Sequence, residues 1–316
     1  MPKLSFLKED KVMKMKKLAA LALAAVMALG LVGCGGASIE GESESSDGGN
    51  GSIGLSVSTL SNPFFVTLAE GAEAKAEEMD AELIVVDAGD DAAKQTSDIE
   101  DLISKNISVL IVNPVDSDAV APAVETAISK GIKVIAVDRV VNGVEVDCSI
   151  ASDNVAGAAM ATEYLVELVG EGAEVAELEG VTGASATIDR GEGFHSVADE
   201  KLNVVAKQTA SFDRAEGMSV MENILQAQPN VKGVFAHNDE MALGAVEAVL
   251  ASGKDIKIVG FDATDDAVAA VKSGKMAATV AQKPELMGET AVQTAMKLIN
   301  GETVEKSLPV EVELIK

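Results

Sequence analysis

The chain has 316 residues, 47% of them hydrophobic, which is enough for two domains of ordinary size with their own cores. Formal net charge is -26; the first 33 residues hold six lysines and two acids, so the rest carries 19 basic against 49 acidic residues. A surface that acidic repels phosphate backbones and argues against a nucleic-acid partner, and its ordinary consequence is solubility.

The N-terminus reads as an export signal. Lys11, Lys14, Lys16 and Lys17 precede an apolar run at 18–32 that ends in Leu31, Val32, Gly33 and Cys34. A charged region, about 15 apolar residues and small residues before the cut match a secretory signal, and the run is short for a transmembrane helix of about 20 residues. Leu-Val-Gly-Cys resembles a bacterial lipobox, which makes Cys34 the expected lipidation site. Met13 or Met15 would begin a signal of more usual length than Met1 does. Residues 35–52 are rich in Gly, Ser and acid with almost nothing apolar, the composition of a flexible tether. The expectation is a signal peptide at 1–33, then a lipidated cysteine and tether at 34–52. Such a chain is anchored to the outer face of the membrane without spanning it.

From residue 53 short apolar runs alternate with amphipathic stretches. Strands are predicted at 53–57, 83–86, 109–112 and 134–137. Helices are predicted at 63–79, in a stretch with Ile99, Leu102 and Ile103 on one face, and in one capped near Asp116 or Ser117 with Val120, Val124 and Ile128 inward. Continuous apolar strands between amphipathic helices indicate a parallel sheet covered on both faces. The pattern then restarts with strands at 175–178, 204–206, 234–236, 256–259 and 278–280. Two such sets make two doubly wound α/β domains. A helix at 284–300 and a strand at 310–315 follow, and pattern alone does not assign them to a domain.

Open parallel sheets bind ligands beyond the carboxyl ends of their strands. In the first half those positions offer Asn62, Phe64, Phe65, Asp138 and Arg139. In the second half they offer Arg190, Phe212, Asn238, Asp262 and Gln282. Of the six phenylalanines beyond the leader, Phe64, Phe65, Phe212 and Phe261 fall at or next to predicted strand ends, while Val, Ile, Leu and Ala fill the cores. Aromatic plates ringed by Asp, Asn, Arg and Gln suit the apolar faces and hydroxyl equator of a sugar. Asn62, Asp138 and Asp262 are equally good turn and N-cap residues, so position alone leaves capping and packing open beside sugar binding.

Catalytic readings find less support. His195 and His237 lack the spaced partners of a metal site, and no nucleophile elbow, Walker loop or dinucleotide glycine pattern occurs. No cofactor is expected. The glycine-bearing stretch 180–185 reads as a tight turn before a phosphate loop, and Asp87, Asp90 and Asp91 as a helix start before a calcium site. Cys148, between Val146 and Ile150, reads as a buried thiol.

The stretches SVSTLSNPFFVTL, NPVDSDAV, IASDNVAG, RGEGF, FAHNDEMALGA and VGFDATDD carry a specific resemblance. From about residue 53 onward the sequence resembles the bacterial D-ribose-binding proteins of ABC importers, within the type I periplasmic binding protein superfamily. The resemblance implies two domains joined by a three-crossover hinge, with 53–152 plus 284–310 forming the first and 153–283 plus 311–316 the second. It implies that Asn62, Phe64, Phe65, Asp138 and Arg139 contact ribose from the first domain. Arg190, Phe212, Asn238 and Asp262 would do so from the second, with Gln282 at the hinge. It also implies a monomer whose partners are an ABC permease and, in some systems, a chemoreceptor. His237 departs from the glutamine common at its position, and a lipobox with tether replaces a free periplasmic form. Allose and furanose-like signals such as autoinducer-2 are the rival ligands. A sugar-responsive repressor of the same fold would carry an N-terminal helix-turn-helix where this chain has an export signal.

Overall fold

A computed structural model describes residues 51–316. The expected signal peptide, Cys34 and nearly all of the tether lie outside the described residues. The body consists of two α/β lobes, each built on a six-stranded sheet.

In chain order the first lobe opens with β1 (Ile53–Val57), α1 (Pro63–Glu78), β2 (Leu83–Asp87), α2 (Ala92–Ser104), β3 (Val109–Val112), α3 (Ala121–Ser129), β4 (Lys133–Val137) and β5 (Cys148–Ser152). The second comprises α4 (Asn154–Val169), β6 (Glu174–Glu179), α5 (Ser185–Lys201), β7 (Asn203–Thr209), α6 (Arg214–Ala227), β8 (Gly233–Ala236), α7 (Asp239–Ser252), β9 (Lys257–Asp262), α8 (Asp265–Lys272) and β10 (Ala278–Ala281). The chain ends with α9 (Pro284–Ile299), β11 (Ser307–Val310) and β12 (Glu313–Ile315).

The strand orders are β11-β5-β4-β3-β1-β2 and β12-β10-β9-β8-β6-β7. Every pairing is parallel except β10 with β12. Central strands such as β1 and β3 are buried at every position, which is why they read as unbroken apolar runs. The chain passes between sheets three times: from β5 to α4, from β10 to α9, and from β11 to β12.

Side chains on α9 (Met287, Ala291, Val292, Ala295) join Ile53, Leu55, Phe64, Phe65 and Leu68 in the first lobe's core. The helices α1 and α9 pack so closely that a Cβ on Gly288 would lie 2.0 Å from the Leu68 carbonyl oxygen. Only a residue without a side chain permits that approach.

Four elements differ from the sequence reading. β5 escaped it, because Cys148, Ser149, Ile150, Ala151 and Ser152 have few apolar groups and Ser149 and Ala151 are only half-buried. Helix α3 starts at Ala121; Asp116 instead caps a preceding turn, accepting from the Asp118 and Ala119 amides at 2.8 Å. Ile128 is 38% exposed, and α3 turns Ala123, Val124 and Ala127 inward. The expected strand at 310–315 is two strands in different sheets, broken where the chain crosses at Glu311 and Val312. Cys148 is fully buried, as its apolar neighbours suggest.

Candidate functional site

All ten singled-out residues meet at one cavity between the lobes. Asn62, Phe64, Phe65, Asp138 and Arg139 line it from the first lobe; Arg190, Phe212, Asn238, Asp262 and Gln282 line it from the second. Ala186 completes the wall.

Helix starts and strand ends position these groups. Asn62 is the N-cap of α1, its Oδ1 accepting from the Phe64 amide at 2.9 Å. Pro63 takes the first helical position, where its missing N–H costs nothing. Asn238 caps α7 in the same way, accepting from Met241 at 3.0 Å, and its Nδ2 donates to the Phe212 carbonyl at 3.3 Å. Capping and cavity lining are therefore not alternatives for these two residues. Asp138, immediately after β4, has φ +64, and Phe212 has φ +61 in the loop before α6. Left-handed backbone at a non-glycine residue is strained, and it clusters at sites where a side chain must be aimed.

The charges are paired and buried. Arg190 Nε donates to Asn154 Oδ1 at 2.9 Å and Nη1 donates to the His237 carbonyl at 2.5 Å, with Asp262 Oδ1 3.7 Å away. Its guanidinium lies 3.9 Å from the centre of the Phe261 ring, which is why that phenylalanine sits at a strand end yet does not line the cavity. Arg139 Nη1 donates to the Pro114 carbonyl at 2.7 Å, and its guanidinium lies 5.1 Å from the Phe65 ring and 5.3 Å from that of Phe212. Asp138 Oδ2 accepts from Asn113 at 3.1 Å, and Gln282 Nε2 donates to Asp262 Oδ1 at 2.7 Å.

Three polar atoms of this lining are buried without a partner: Asp138 Oδ1, Arg139 Nε and Gln282 Oε1. Unpaired buried groups of this kind are costly, on the order of 1–3 kcal/mol each, and rare outside functional sites. They supply two acceptors and one donor, the complement of a small polyhydroxylated molecule.

Sequence reasoning passed over Asn113 and Asn154, which orient Asp138 and Arg190. Both carry a positional signal: Asn113 follows β3 directly, and Asn154 opens α4 at the first crossover. The acidic trio behaves as a helix start, with Asp91 capping α2 through the Ala93 and Lys94 amides. No cluster able to hold a metal ion occurs among the described residues.

Burial raises the pKa of Asp138, with Arg139 and Arg190 opposing it. Burial likewise pushes Asp262 up to about 7, against the pull of Arg190 and Gln282. The folded state thus holds the Asp262 proton more tightly than the unfolded chain does. Between about pH 4 and 7 this group makes sugar-free stability fall as pH rises. Asp262→Asn is expected to flatten that fall, by on the order of 1 kcal/mol per pH unit at most. Thermal unfolding of sugar-free protein across this range measures it, and identical pH profiles would contradict the assignment.

The aromatic rings of the lining give a second expectation. Phe65→Ala or Phe212→Ala should weaken sugar binding by roughly 1–3 kcal/mol, the order lost when an aromatic plate is removed from a small ligand. Unchanged affinity in both variants by calorimetry would reduce these rings to packing.

Comparison with known proteins places this geometry. The periplasmic binding protein domain matches residues 53–303. The chain belongs to the periplasmic binding protein family. It is 52% identical over 262 residues to a ribose import binding protein of Bacillus subtilis, covering 83% of this chain and 86% of that one. A ribose import binding protein of Haemophilus influenzae is 47% identical over 302 residues, covering 95% and 99%. A solved ABC transporter solute-binding protein of Bacillus halodurans with bound myo-inositol superposes with a TM-score of 0.81 at 35% identity, covering 86% and 96%. Family membership makes this chain an extracytoplasmic solute-capture component of the type I fold and not an enzyme.

Proposed function

We propose that the protein captures D-ribose in the cleft between its lobes and delivers it to an ABC importer. The observation that carries this reading is the lining itself: aromatic faces from both lobes, two carboxylates, two guanidiniums and three buried polar atoms without partners. A pentose offers two apolar C–H faces and hydroxyls that both donate and accept, so it can satisfy all of them at once. The high identity to ribose import binding proteins over most of the chain supports ribose ahead of other sugars. Calorimetry with ribose, allose, xylose and arabinose tests the choice. Ribose should bind most tightly and, at a thousandfold excess over Kd, raise apparent stability by about 4 kcal/mol. Preference for allose would keep the class and overturn the ligand.

The sites follow residue by residue. Phe64, Phe65 and Phe212 flank the ring, while Asn62, Asp138, Arg139, Arg190, Asn238, Asp262 and Gln282 meet its oxygens. The domain division falls at the crossovers, with 53–152 plus 284–310 on one side and 153–283 plus 311–316 on the other. The protein acts as a monomer toward its permease.

The anchor belongs to the same proposal. Among the described residues no helix is long and apolar enough to cross a membrane. Leu31, Val32 and Gly33 ahead of Cys34, then a polar tether, support lipidation at that cysteine. Cys34→Ser is expected to release the protein into the medium as a soluble, ribose-competent species. Unchanged membrane partition would rule out this anchor.

A further inference from the structure

The two lobes touch directly at a point that does not line the sugar cavity. Among the described residues, three hydrogen bonds join them away from the crossovers. The Ser117 amide donates to the Gly183 carbonyl at 3.0 Å. The Ser185 amide donates to Ser117 Oγ at 3.2 Å, and the Val140 amide donates to Ser185 Oγ at 3.0 Å. Ser117 and Val140 come from the first lobe, Gly183 and Ser185 from the second. Ser117 is fully buried and Ser185 is 6% exposed, so water does not compete for these bonds in the closed form.

The local chemistry of α5 explains why the contact matters. A helix leaves its first amides without intrahelical partners, and Ser, Thr, Asp or Asn ordinarily caps them. The N-cap residue of α5 is Ala184, which makes no side-chain cap bond. The missing cap comes from the other lobe, as Ser117 Oγ accepts from Ser185, the first residue of the helix. The same helix carries Arg190 into the cavity. Gly183 is shaped for the contact: its φ is +90, and a Cβ there would lie 2.1 Å from Asp116 Oδ2 across the cleft.

We infer that Ser117, Gly183 and Ser185 form a latch: closure supplies the N-terminal cap that α5 lacks, so residues that never touch the sugar set how long it is held. This rests on the ribose-capture reading, and concerns what holds the lobes shut once they meet. Interactions present only in the closed form act on escape more than on encounter.

Ser117→Ala and Ser185→Ala should each raise the ribose dissociation rate roughly tenfold, with association within about twofold of wild type. Gly183→Ala should do at least as much. The melting temperature of sugar-free protein should stay unchanged in the serine variants, which separates the latch from a general packing defect. Stopped-flow kinetics with ribose reads the rates. Spin-label distances between the lobes in sugar-free protein form the second arm, where the serine variants should populate the closed form less than wild type. Should wild type itself fail to bind ribose, the capture reading falls, and the distance arm still decides the latch. Unaltered dissociation in both serine variants of a ribose-binding wild type, or unaltered sugar-free distances in both, overturns the latch.

Discussion

Arg190→Ala is expected to weaken ribose binding by about 3 kcal/mol, over a hundredfold in Kd, the largest loss from a single truncation at the cavity. The guanidinium is 3% exposed and serves several partners at once. Its removal strips donors from Asn154 Oδ1 and the His237 carbonyl, takes the countercharge from Asp262 at 3.7 Å, and uncovers the Phe261 ring. A buried carboxylate left without its cation costs more than the pair itself contributed. Asp138→Asn should lose less, because the amide is isosteric and a polar contact to Asn113 survives. It still forfeits an acceptor with no other partner and the charge facing Arg139. Glu145→Ala is the control, since that side chain is 86% exposed in a surface ion pair with Lys306, where little energy resides. Calorimetry should rank the three in that order. Equal losses across the set would place the sugar elsewhere.

The parts of this architecture that were legible in the sequence are those governed by local chemistry. A strand buried on both faces must be apolar throughout, so β1, β3 and β8 announce themselves. β5 does not, because it lies toward one side of its sheet, between β4 and β11, and mixes serines with small residues. The end of the chain misled for the opposite reason. Val310, Val312, Leu314 and Ile315 suggest one strand, yet Val310 pairs with β5 and Leu314 with β10. A crossover leaves no mark on hydrophobic periodicity. The cavity residues stood out because strand ends in parallel sheets converge, and polar or aromatic side chains there have little core to fill. Asn113, Asn154 and the Ser117–Ser185 contact did not, since their partners lie tens of residues away or in the other lobe.

Ribose should draw the two lobes together, and the radius of gyration should fall on saturation. Each lobe holds half of the lining, and neither half offers enough partners to replace the water around a pentose. Asn62, Phe64, Phe65, Asp138, Arg139, Arg190, Asn238, Asp262 and Gln282 are all at most 8% exposed in the closed arrangement, so a sugar can reach them only if the lobes first part. The motion must be absorbed where the chain passes between sheets, near Ser152 and Asp153, Gln282 and Lys283, and Glu311. Opening there also breaks the three bonds at Ser117, Gly183, Ser185 and Val140, so the empty protein exchanges between open and closed forms and ribose holds it closed. Closure then builds one surface from both lobes, giving a permease a signal of occupancy that a rigid cleft with a side opening would lack. Small-angle scattering with and without ribose decides between them. Superimposable curves at saturation confirmed by calorimetry would refute the hinge, because ribose would then have entered with no change in the separation of the lobes.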